Sequence, residues 1–193
     1  MIIFIRLNKM NYDIQNHLKE FPNAVVTEKQ GRLYGIWMIG NNYKRTSNYY
    51  GSYPPSYLKR VYSLFPNKKS VLHLFAGKVS DITGVTVDIR KDIGTSVVAD
   101  AKHLPFVNQF DLVLADPPYT KVDAKQYKGH SPSTAAVMRE LFVVVKKGGI
   151  VVWLCTHPPL YRKDMWNLLG VIGLHVGTNK RFRSVIIMEK KSD

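Results

Sequence analysis

The sequence predicts an α/β fold on a mostly parallel sheet, and three observations point there. Five short apolar runs, Val71–Phe75, Val85–Asp88, Val97–Ala99, Phe110–Ala115 and Ile150–Leu154, have the continuous hydrophobicity of strands buried on both faces. A long helical pattern, Pro132 to Lys146, stands before the last run, with Lys147-Gly148-Gly149 as its stop. The fourth run ends abruptly in Asp116-Pro117-Pro118-Tyr119. Neither proline can donate a ladder hydrogen bond and each fixes its own φ, so the strand stops there. Open parallel sheets bind their ligands at this carboxyl edge.

The chain begins with MIIFI, read as an edge strand; it is too short to span a bilayer, and Arg6 and Lys9 follow it without a small-residue cleavage site. Asn11 to Glu20 has helical spacing, with Ile14 and Leu18 four apart, and Phe21-Pro22 ends it. Ala24–Glu28 and Leu33–Ile39, joined through Gly31, read as a β-hairpin. Gly40 to Pro55 is polar and tyrosine-rich, with Lys44 and Arg45 embedded. Disordered linkers are poor in aromatics, so it reads as an ordered loop lining a site, and aromatics interleaved with cations suit stacking on splayed bases. Ser56 is placed to cap a helix over Tyr57–Leu64. Beyond Leu154, the pattern predicts a helix over Leu160–Leu169 closed by Gly170, then strands Val171–Val176 and Val185–Glu189, with basic Lys180, Arg181 and Arg183 at their junction.

The length, 193 residues, suits one domain with a small appendage, divided here as residues 1–48 and 49–193. Lys and Arg outnumber Asp and Glu by 28 to 14, a formal charge of +14. That excess attracts polyanions, nucleic acid above all; no membrane partner is expected. Cys155 is the only cysteine, which excludes an internal disulfide and a Cys-based zinc site and fits a cytoplasmic protein.

In their order, these pieces resemble the class I S-adenosylmethionine-dependent methyltransferases, over roughly residues 49–189. They are closest to the amino-methyltransferases with the signature [DNS]-P-P-[YFW], here Asp116, Pro117, Pro118 and Tyr119. The resemblance implies a Rossmann-like sheet with an antiparallel last strand and S-adenosylmethionine as cofactor. Leu72 to Lys78 sits where the family has its F-x-G-x-G turn, so Leu74, Phe75, Ala76 and Gly77 would border the cofactor; His73 replaces a frequent acid and the second glycine is missing. Asp88 with Ile89 would take the ribose hydroxyls, and Asp100 with Ala101 the adenine amine. Upstream, Tyr50, Gly51 and Tyr53 would line the methionine end.

Only about nine residues separate the first two strands of this region and eight the next pair, fewer than a helical crossover needs. Reduced helices are therefore expected on one face, with the N-terminal region or a second subunit covering the sheet there. The resemblance implies a methyltransferase of an exocyclic base amine, DNA adenine N6 first. Lys44, Arg45, Tyr49, Lys121, Lys125, Lys128, Lys180, Arg181 and Arg183 would contact nucleic acid, and no metal is expected. Two alternatives stay open: an RNA base methyltransferase, and an inactive nucleic-acid-binding subunit of a methyltransferase complex.

Overall fold

The computed structural model describes residues 11–40, 53–54, 56–77, 79, 83–119, 133–177 and 182–191. The expectations for residues 1–10, for most of the tyrosine loop and for Lys121 to Ser131 lie outside the described residues.

Helix α1 spans Ile14–Glu20, with the Asp13 carboxylate accepting from the Asn16 N–H at 2.8 Å. The hairpin is β1, Val25–Lys29, and β2, Arg32–Ile39. Helix α2 has the expected bounds, Tyr57–Leu64, but Ser56 precedes it at φ 56° and its hydroxyl caps nothing. Strands β3 (Val71–Leu74), β4 (Val85–Asp88), β5 (Val97–Val98) and β6 (Phe110–Ala115) follow. Helix α3, Thr134–Val144, is capped by Ser133. Its end comes earlier than predicted, because the chain turns extended at Val145 and β7 already runs Val145–Cys155. The Lys147-Gly148-Gly149 stop is instead an irregular start to that strand, with Gly148 at φ 67° beside a register shift against β6.

The predicted helix over Leu160–Leu169 is absent. Residues from 166 belong to β8, Trp166–Val176, which pairs antiparallel with β9, Phe182–Lys190. A nine-pair ladder overrides the local apolar spacing here, and the Trp166 ring packs edge-on against Phe142 of α3 at 5.9 Å.

All nine strands form one sheet in the order β1-β2-β8-β9-β7-β6-β3-β4-β5. From β3 the chain steps outward through β4 to β5, returns to the other side of β3 as β6, and continues to β7, each neighbour parallel. Strand β9 is antiparallel to both β7 and β8. This is a Rossmann-like, mostly parallel sheet with an antiparallel strand, β9, and its topological switch between β3 and β6. The N-terminal α+β extension joins it through the parallel pairing of β2 with β8.

Two cores flank the sheet. Trp37, Tyr57, Val61 and Leu64 pack on one face against Leu112, Leu114, Val152 and Ile187. Val137, Met138 and Leu141 of α3 pack on the other against Val113, Val151 and Trp153. The crossovers around β4 are thin: a 3-10 turn, Lys91–Ile93, is the one helical piece among the described residues between β3 and β6. The helices α1 and α2, from the N-terminal part of the chain, cover the central strands on the first face.

Two buried histidines stitch that cover to the sheet. Trp37 donates its indole N–H to His17 Nε2 at 3.2 Å, so the proton of His17 sits on Nδ1 and is given to Ser63 Oγ at 2.7 Å. Ser63 in turn donates to the Arg60 carbonyl at 2.8 Å. His73 bonds the Thr83 carbonyl through Nε2 at 3.2 Å and meets the Tyr53 hydroxyl through Nδ1 at 3.3 Å. Burial pushes both rings down to about 4; for His17 the Arg60 charge adds to this. They are neutral structural residues.

Candidate active site at the carboxyl end of the sheet

The turn after β3 departs from ordinary backbone. Phe75 has φ 59° and Gly77 φ 56°. A left-handed conformation costs a residue with a Cβ about 1 kcal/mol or more, so Phe75 is held there by its surroundings. One restraint is its ring, edge-on to Trp153 at 6.3 Å; another is the Ala76 N–H, which reaches the Val87 carbonyl at 3.1 Å. The result is a backbone turn with no side chain at its glycine, lying against the end of β4.

Asp88 closes β4 and accepts one N–H on each oxygen, from Gly77 and from Arg90, both at 3.0 Å. Each oxygen keeps further acceptor capacity. Ile89 beside it is 44% exposed. The Ala99 N–H bonds the Asp88 carbonyl at 3.0 Å, which brings Asp100 to the same edge. Burial opposes the charge of Asp100, but the Lys102 N–H at 3.0 Å and ammonium at 3.3 Å outweigh it and hold the carboxyl below its usual range. Ala101 is buried behind it.

Asp116 follows β6, two strands from Asp88, and its N–H still reaches the Leu74 carbonyl at 3.4 Å. Pro117 is buried, while Asp116, Pro118 and Tyr119 are half-buried. The Tyr119 hydroxyl donates to Asp116 Oδ1, and the Arg183 guanidinium carbon lies 5.3 Å from the centre of the Tyr119 ring. Burial pushes the Asp116 carboxyl up to about 6, against the Tyr119 hydrogen bond and the Arg183 charge. Burial, reinforced by Asp116, also raises the Tyr119 hydroxyl far above its usual range. Cys155 responds the same way, to about 12.

Beneath the corner lies an aromatic floor. Tyr53 stacks on Tyr57 with ring centres 5.4 Å apart, and its hydroxyl reaches towards His73 and the Leu114 carbonyl. Burial raises both tyrosine hydroxyls, and Asp116 contributes to each. Among the described residues the Tyr57 hydroxyl and Arg183 Nε are buried without a hydrogen-bond partner. An acceptor with a raised pKa therefore faces two unsatisfied donors, an arrangement more typical of a functional site than of a relaxed core.

The structure thus brings Leu74, Phe75, Ala76, Gly77, Asp88, Asp100, Asp116 and Tyr119 to one edge of one sheet, with Tyr53 below. Tyr50, Gly51, Lys44, Arg45, Tyr49, Lys121, Lys125, Lys128, Lys180 and Arg181 lie outside the described residues. Arg183, grouped by sequence with the basic junction, stands half-buried against Tyr119. Tyr57 was read from sequence only as the start of a helix. Nothing local marks it, because its place under Asp116 depends on α2 docking across the sheet.

No protein-family model and no curated protein matches the sequence. Similar solved structures include TrmN from Thermus thermophilus, with a TM-score of 0.46 and 18% identity over 63% of this chain and 44% of that one. The chain thus spans less than half of that structure's length. The PH0226 protein from Pyrococcus horikoshii OT3 gives 0.45 and 12% identity over 69% and 87%. At this level of likeness the fold rests on the strand order above. Among the described residues no helix is long and apolar enough to cross a membrane.

Proposed function

We propose that this protein is an S-adenosylmethionine-dependent N-methyltransferase acting on an exocyclic amine of a nucleic-acid base, with adenine N6 in DNA as its substrate. The observation that carries the reading is the corner at Asp116: a partly buried carboxylate, stiffened by two prolines and capped by a tyrosine, on the same edge as Asp88 and Asp100.

The acceptors at that edge fit the cofactor. Asp88 has lone pairs to spare for ribose hydroxyls, Asp100 offers a carboxylate to an amine, and the bare turn at Gly77 admits a ligand against the backbone. Bound there, S-adenosylmethionine would supply an electrophilic methyl group.

The chain's own part is to present the amine. Adenine's amine is a poor nucleophile because its lone pair delocalises into the ring. Asp116 and the Pro117 carbonyl accept its N–H bonds, favouring a pyramidal nitrogen and the positive charge that develops on it. Tyr119 must first release Asp116, exchanging its O–H bond for an N–H of the base while its ring stacks on the base plane. In a duplex the base has to leave the helix, at a cost of about a few kcal/mol. Lys44, Arg45, Lys121, Lys125, Lys128, Lys180 and Arg181 would anchor the neighbouring phosphates, in keeping with the +14 charge.

The test is transfer of a labelled methyl group onto separate pools of DNA, tRNA, rRNA and protein. Label recovered from DNA as N6-methyladenine is the expected result. Label in tRNA or rRNA moves the substrate to RNA, and label in protein overturns the nucleic-acid reading.

A further inference from the structure

Among the described residues nothing covers one wing of the sheet. On the side covered by α3, the register runs from Tyr34 on β2 to Val171 on β8 and on to Ile186 on β9, which is buried under that helix. Tyr34, Ile36 and Met38 point to this same side and are 41%, 43% and 63% exposed. Phe182 on β9 is 57% exposed, although its ring tip rests over Gly173: a Cβ added to that glycine would come within 2.5 Å of Phe182 Cζ. Glycine thus leaves a shelf on which the ring lies open to solvent.

The charges on this face have one sign. Lys29 and Arg32, paired across the hairpin, are exposed on it. None of the residues that β1, β2, β8 and β9 turn to this side is Asp or Glu; Glu28 and Glu189 fall on the other side. A second copy of the chain would bring like charges together with no carboxylate between them. Exposed aromatics on an open sheet, flanked by cations, match a strand of nucleotides, whose bases stack and whose phosphates pair with the cations.

The face also leads to the corner at Asp116. Strands β2 and β8 run parallel to β6, so Met38 and His175 near their carboxyl ends reach the same edge. Phe182 and Arg183 are neighbours on β9 and turn to opposite sides, the first to the bare wing and the second to Tyr119. From β9 to β6 is two strand spacings, about 10 Å. We propose that this face is a stacking platform for single-stranded nucleic acid, seating the nucleotides beside the target base on Tyr34 and Phe182; it rests on the nucleic-acid reading above.

Fluorescence anisotropy with labelled oligodeoxythymidylate and oligodeoxyadenylate tests it. The double variant Tyr34→Ala/Phe182→Ala is expected to bind each about a hundredfold more weakly than wild type, at an unchanged melting temperature. Lys29→Ala and Arg32→Ala should each make the dependence of log affinity on log salt shallower by about one. Equal affinity in the double variant and wild type overturns the platform. So does a wild-type dimer in sedimentation that this variant dissolves without changing oligonucleotide affinity. Methyl transfer is scored separately. Binding lost in the variant, with no transfer to nucleic acid by wild type, supports the platform and removes the proposed activity. Transfer to DNA with undiminished binding by the variant removes the platform alone.

Discussion

Two buried polar clusters lie on the same face of this sheet and differ in one respect. Around His17 and His73 each imidazole nitrogen has a partner, Trp37 to His17 to Ser63 to the Arg60 carbonyl and Tyr53 to His73 to the Thr83 carbonyl, although Arg60 Nε nearby is buried without one among the described residues. Around Asp116 an ionisable acceptor is itself left under strain: the carboxyl is pushed up to about 6, while among the described residues the Tyr57 hydroxyl and Arg183 Nε beside it have no hydrogen-bond partner. A matched network stabilises the fold; an unmatched one is stability withheld until a ligand completes it. The first cluster holds the N-terminal helices on the sheet, and the second stands at the edge where the proposed function places the base.

The comparison breaks most visibly at Trp37. Its ring is fully buried and its N–H holds the His17 tautomer, so Trp37→Ala should cost about 4 kcal/mol and lower the melting temperature by about 10 °C. Thermal unfolding checks this; a loss under about 1 kcal/mol would mean the matched cluster does not hold the cover. At the edge, Asp88→Ala should weaken cofactor binding by about tenfold to a hundredfold in calorimetry, about 1.4 to 2.8 kcal/mol. Its melting temperature should fall far less than that of Trp37→Ala.

Acidification separates the clusters by sign. His17 and His73 are neutral when folded, with values near 4 against 6.5 in the unfolded chain, so their contribution is complete above about 6.5 and is lost as pH falls towards 4. Asp116 runs the other way: its folded value near 6 lies above the ordinary 3.8, so it costs stability at neutral pH, and that cost fades between 6 and 4. Two groups against one leave a net loss of at most about 1.4 kcal/mol per pH unit in that window. Methyl transfer should fall separately, tenfold per pH unit below about 6, as Asp116 is protonated and no longer offers a charged acceptor to the amine. A pH–rate profile flat to pH 5 would exclude an ionised Asp116 from the reaction. The smallest effect belongs to Tyr57→Phe, which removes an unpartnered hydroxyl and should leave stability within about 1 kcal/mol of wild type, or slightly above.

Much of this was readable from local chemistry. Strands β4 and β6 and helix α2 have the bounds their sequence patterns predict, because an apolar run between turn residues fixes a short buried strand. The corner was legible because two prolines can only stop the strand. What stayed hidden depends on distant parts of the chain. Trp166–Leu169 carries a helical spacing that loses to nine pairs with β9. Arg183 looked like one more surface cation, yet the antiparallel register of β9 points it at Tyr119. The hairpin strand β2 is apolar on both sides, so no pattern within it says that Leu33 and Trp37 are covered while Ile36 and Met38 are not.

The central claim, that the carboxylate at the end of β6 receives the amine, is tested most directly by Asp116→Ala measured twice. Calorimetry should find its affinity for S-adenosylmethionine within a few fold of wild type, while methyl label on DNA falls to background. A variant that binds the cofactor and still methylates adenine at the wild-type rate would show that the amine is held elsewhere.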